Sequence, residues 1–138
     1  MRNTINRSPR PLGIIALSLF FVFGSLASGL SALMLIVPGT AMDALWRLNP
    51  HAQQGLTAMG HWSVLLMATV CAVCFSAAWG LWLRKRWGYW MATMILSINL
   101  VADTINFFWL GDWRTLIGLP IAGCMIAYLV SKRRIFGS

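Results

Sequence analysis

Four apolar blocks make up most of this chain, and the Lys and Arg residues lie almost entirely between and beside them. The blocks run 12–37, 62–83, 87–110 and 113–131, which is 26, 22, 24 and 19 residues, against the roughly 20 needed to cross a hydrocarbon core about 30 Å thick. A soluble helical bundle needs a solvated face on every helix. Here the blocks contain one formally charged residue, Asp103, apart from Arg114 at the start of the last block. The expected fold is therefore all-α: an integral membrane four-helix bundle forming a single membrane domain over residues 1–138.

Nine of the eleven basic residues fall in three groups of three: Arg2, Arg7 and Arg10; Arg84, Lys85 and Arg86; Lys132, Arg133 and Arg134. Short cytoplasmic loops collect Lys and Arg. The spacing thus predicts four crossings of the cell inner (plasma) membrane, with both termini cytoplasmic and the lipid bilayer as first partner. A net charge of +8 would point to nucleic acid in a soluble protein, because basic patches attract phosphate. These charges instead stand where insertion and anionic headgroups call for them, so no nucleic-acid partner is expected. The first block opens like a secretory signal, with Ser25, Leu26 and Ala27 at a cleavage-like position. The apolar run nevertheless continues to Val37, which reads as an uncleaved anchor.

Only the outer connection, residues 38–61, is long enough for structure of its own. Thr40 followed by Asp43 resembles a capping box and Asn49-Pro50 a stop, so a short interfacial helix is expected over residues 41–48. Asp43 and Arg47 stand one helical turn apart. The eight Trp residues divide four and four: Trp46, Trp62, Trp109 and Trp113 at the outer boundary, Trp79, Trp82, Trp87 and Trp90 at the inner one. That is the distribution of an interfacial belt. Small residues recur every four positions in the second span, at Ala68, Ala72, Ser76 and Gly80, and in the first at Gly24, Ser28 and Ala32. Lipid supplies no hydrophobic drive for helix association, so such ridges are expected to be helix-packing faces, within the chain or between copies. Pro120 should kink the fourth span.

The strongest candidate for chemistry is Asn99, Asp103 and Asn106 in the third span. At 100° per residue these three fall within about 60° of arc and extend over roughly 10 Å of helix. An intramembrane carboxylate is costly unless paired, hydrated or protonated, and it is a default functional hypothesis. Its expected partners are His61, Arg47 or Arg114. The plainer reading makes the stripe interhelical hydrogen-bonding glue. Cys71 and Cys74 form a C-x-x-C in mid-span, where burial disfavours the thiolate, so they read as small apolar packing residues. No metal site, cofactor or catalytic set is expected, because His61 lies ten residues, roughly 15 Å, before Cys71 and no nucleophile is spaced with a base. Asp112 reads as the N-cap of the last helix.

The segments PGTAMDALWRLNP, Trp87-Gly88, NLVADTIN and DWRTLIGLP together resemble a recurring set in small bacterial multi-pass inner-membrane proteins, over about residues 38–134. The resemblance implies the four-helix architecture and no activity. The chain lacks the first-helix Glu of small multidrug exporters, the Thr and Phe-rich filter of fluoride channels and the loop cysteines of disulfide-generating membrane enzymes. The expected function is a non-catalytic membrane component, a homo-oligomer or part of a larger membrane complex. The alternative is a small ion- or proton-coupled transporter or channel protomer that uses Asp103.

Overall fold

A computed structural model describes residues 11–39, 41–48, 50–111 and 115–136. Among the described residues the fold is all-helical, 91% helix with no strand. Its long helices are α1 (Leu12–Ile36), α3 (His61–Trp82), α4 (Arg86–Leu110) and α5 (Thr115–Ser131), with a shorter α2 (Pro50–Ala58) and 3₁₀ helices at Ala41–Leu48 and Arg133–Phe136. Among the described residues three stretches, Leu12–Ile36, His61–Trp82 and Arg86–Trp109, are long and apolar enough to cross a membrane. At 17 residues, α5 spans about 25 Å.

The long helices pack in the order α1, α3, α4, α5. Each runs antiparallel to the next, since Ser25 meets Cys71, Gly80 meets Gly88, and Asp103 meets Gly118. The turn between α3 and α4 is a Schellman cap: the Lys85 N–H donates to the Gly80 carbonyl at 2.9 Å and the Arg84 N–H to Leu81 at 3.0 Å. Arg84 takes the left-handed position with φ 54°, where glycine is usual. At the far end of α4, Gly111 fills the same role, donating to the Phe107 carbonyl at 3.2 Å.

Buried residues concentrate at the end of the fold that carries Arg84 to Arg86 and Arg133, here called the basic end. Ile14, Leu17 and Phe21 of α1, Ala77, Ala78 and Leu81 of α3, Ala92 and Leu96 of α4, and Leu129 of α5 form one core with Phe136. Helices α1 and α5 also approach there, because a Cβ on Gly13 would strike the Tyr128 ring. Between α1 and α3 the fit is fine-grained. A Cβ on Gly29 would lie 3.2 Å from Cys71 Sγ, and one on Gly24 would lie 3.8 Å from Cys74 Sγ. The Ser25 hydroxyl donates to the Cys71 carbonyl at 3.1 Å. The two cysteines therefore fill space left by glycines, the packing role expected of a buried thiol.

The connection 38–61 differs from expectation in two ways. Its first helix covers residues 41–48 but is 3₁₀, with three residues per turn, so Asp43 and Arg47 no longer stand one above the other. The Asp43 carboxylate accepts from the Gly39 N–H at 2.7 Å instead; Thr40, its expected capping partner, lies outside the described residues. Pro50 does not merely stop that helix, since it is the first residue of α2, where its fixed φ suits a helix start and its missing N–H costs nothing. Trp46 is buried, whereas Trp62, Trp79, Trp82, Trp87, Trp90 and Trp109 are exposed; Trp113 lies outside the described residues.

Candidate functional site

The polar stripe on α4 continues the helix's packing seam. Ala92, Asn99 and Asn106 are spaced by seven residues, as are Leu96 and Asp103, so each set stays on one face with a drift of about 20° per seven residues. At the basic end that face is sealed: Ala92 is 0% and Leu96 1% exposed. Beyond Leu96 the cover is only partial. Asn99 is exposed, while Asp103 and Asn106 are half-buried. Helix α3 thus covers the part of the seam near the basic end and leaves the polar part less covered.

Asp103 leans toward α5. A Cβ on Gly118 would lie 2.8 Å from Asp103 Oδ2 and 3.7 Å from its Cγ, so only a glycine lets the carboxylate rest against the α5 backbone. Two residues later, Pro120 stands within α5 and brings no N–H to the ladder, which leaves the Leu116 carbonyl without its helical donor. Thr104 turns its hydroxyl to the Leu100 carbonyl at 2.6 Å and so faces its own helix. Among the described residues no hydrogen bond or ion pair engages the Asp103 carboxylate. Arg47 and His61 are exposed and neither pairs with it. Arg114 and Asp112 lie outside the described residues.

His61 instead borders a cavity of about 520 Å³ where α1, α2 and α3 come together, lined by Leu35, Ile36, Thr57, Gly60, Ser63 and Val64. Of the small-residue ridge on α3, Gly80 is buried and Ser76 half-buried, while Ala68 and Ala72 are exposed. The faces that α3 uses inside the chain are those of Cys71 and Cys74 toward α1 and of Gly80 toward α4. Cys71, Cys74 and Cys124 are free thiols. Among the described residues no group of three or more His, Cys, Asp or Glu is placed to hold a metal ion.

Two elements of this geometry escape a reading of the sequence. Gly88 enters there only in the Trp87-Gly88 pair after the basic turn, although it is the contact point of α3 and α4. Gly118 shows as one small residue among several, with nothing to say that Asp103 faces it. Comparison with protein-family models, with curated proteins and with solved structures finds no match for this chain.

Proposed function

We propose that this chain is a non-catalytic component of a membrane assembly, a self-associating or accessory subunit whose partner helix closes the polar seam of α4. The observation that carries the reading is Asn99: an amide exposed on a span whose inner turns, on the same face, are fully packed. Leaving an amide unpaired in hydrocarbon costs roughly 4–8 kcal/mol. An interhelical hydrogen bond restores part of that, with a net gain of about 0.6 kcal/mol and at most about 1.7. The sum favours covering Asn99 with another helix over leaving it to acyl chains. The exposed Ala68 and Ala72 offer a flat flank to the same kind of neighbour.

In this reading the protein is a multi-pass inner-membrane bundle of four crossings with both termini cytoplasmic, as the basic groups predict. Purification in mild detergent, followed by native mass determination, tests it. The expected result is a defined oligomer or a stoichiometric partner that Asn99→Leu weakens by about 3- to 20-fold in dissociation constant. A monomer unaffected by Asn99→Leu would overturn the proposal.

A second reading, an ion- or proton-coupled transporter or channel protomer, draws on Asp103, whose carboxylate has no partner among the described residues. It requires water rather than protein in the open seam. Flux into proteoliposomes that Asp103→Asn abolishes, with folding intact, would establish it.

A further inference from the structure

We infer that the basic end of the fold carries a binding site for a phosphate-bearing anion of headgroup size, in a cavity of about 450 Å³ lined by Arg86, Tyr89, Trp90, Arg133, Arg134 and Phe136. The site is built from two elements far apart in sequence. Arg86, Tyr89 and Trp90 come from the first turns of α4, and the other three from the 3₁₀ helix after α5.

What distinguishes this cavity from a row of surface charges is that its second wall is anchored. Phe136 is 2% exposed and belongs to the core. Its ring lies 5.6 Å from that of Tyr89, tilted by 37°, and the turn is closed by the Ile135 N–H donating to the Lys132 carbonyl at 2.9 Å. Arg133 and Arg134 are therefore carried on a fixed turn, and Arg86 faces them from the start of a helix. Tyr89 in turn packs edge-to-face on Trp90, with centroids 5.8 Å apart.

Among the described residues no carboxylate lines this site. The chain has three acidic side chains, Asp43, Asp103 and Asp112. On α4 the nearest, Asp103, is seventeen residues from Arg86, or about 25 Å along the helix. Three like charges lining one cavity repel one another unless an anion joins them. The guanidinium fork fits a phosphate with two parallel hydrogen bonds. Arg86 opens α4, whose N-cap, Lys85, provides no side-chain cap and whose first turn has no acidic residue, so the positive end of the helix dipole adds to the same field. The ring walls give such an occupant an apolar side to rest on. A phosphodiester headgroup of an anionic lipid meets both demands at the end of three membrane-length helices, and a soluble phosphate meets the first alone.

The test measures binding to protein in nanodiscs of neutral phosphatidylcholine, with stepwise addition of phosphatidylglycerol in one arm and inorganic phosphate in the other. The expected result is saturable uptake that Arg86→Gln, Arg133→Gln or Arg134→Gln each weakens by about five-fold, while Lys132→Gln, which removes equal charge just outside the cavity, changes it less than two-fold. Arg133→Lys, which keeps charge and insertion but loses the fork, should fall between. Thermal unfolding in neutral lipid accompanies every variant to show that the fold is retained. Saturation by phosphatidylglycerol assigns the site to a lipid headgroup, and saturation by inorganic phosphate with the same arginine dependence assigns it to a soluble anion. Binding of neither, or equal weakening by Lys132→Gln, would overturn the site.

Discussion

Gly80 and Gly88 meet backbone to backbone: a Cβ on Gly80 would lie 2.5 Å from Gly88 Cα, and one on Gly88 would strike the Gly80 and Leu81 backbone. This contact sets how closely α3 and α4 approach and brings Ala92 and Leu96 under cover of the core. Close backbone approach through small residues is the usual source of helix association in lipid.

Gly88→Ala should therefore destabilise the fold by at least the ~1–3 kcal/mol typical of overpacking, since backbone rather than a mobile side chain must move. Gly123→Ala is the control. A Cβ there meets nothing within 4 Å, and replacing a helical Gly by Ala is worth up to about 1 kcal/mol in stability. Unfolding in a detergent and denaturant series should place the two variants on opposite sides of the parent protein.

Gly118→Ala brings a methyl group against the Asp103 carboxylate, the mobile end of a side chain. A loss of about 1 kcal/mol is expected, and it should largely disappear in combination with Asp103→Ala. A double-mutant cycle reads the coupling, and additive effects would mean that the two residues do not touch in the membrane.

Cys71 and Cys74 should resist a membrane-impermeant maleimide in the native protein and react after denaturation. Cys74 is buried at 7% exposure, and Cys71 is held against Gly29 and Ser25. Native labelling of both would reveal a water-filled route between α1 and α3, and would move the functional reading toward transport.

Reporter fusions after Ser138 and within residues 38–61 should report opposite sides of the membrane, with the fusion after Ser138 cytoplasmic. The expectation rests on the three basic groups. Equal signals at both places would remove the four-crossing topology.

Read from residues alone, the chain already shows where its long helices run. Expected spans of 12–37, 62–83 and 87–110 agree within one residue with α1, α3 and α4, because the length of an apolar run is a local property matched to bilayer thickness. That Asn99, Asp103 and Asn106 share one side of α4 is equally local, a matter of helical period. Neighbours are another matter. Ala68, Ala72, Ser76 and Gly80 form one unbroken stripe in sequence, yet Gly80 meets α4 while Ala68 and Ala72 remain exposed. Without a hydrophobic drive in lipid a small-residue stripe suits any helix, and only the tertiary packing decides which part of it is used. The same holds for Asp103 opposite Gly118 and for Arg86 opposite Arg133 and Arg134. These pairings depend on the register between helices, which the three-residue turn after α3, the Gly80 to Gly88 contact and the anchoring of Phe136 determine together.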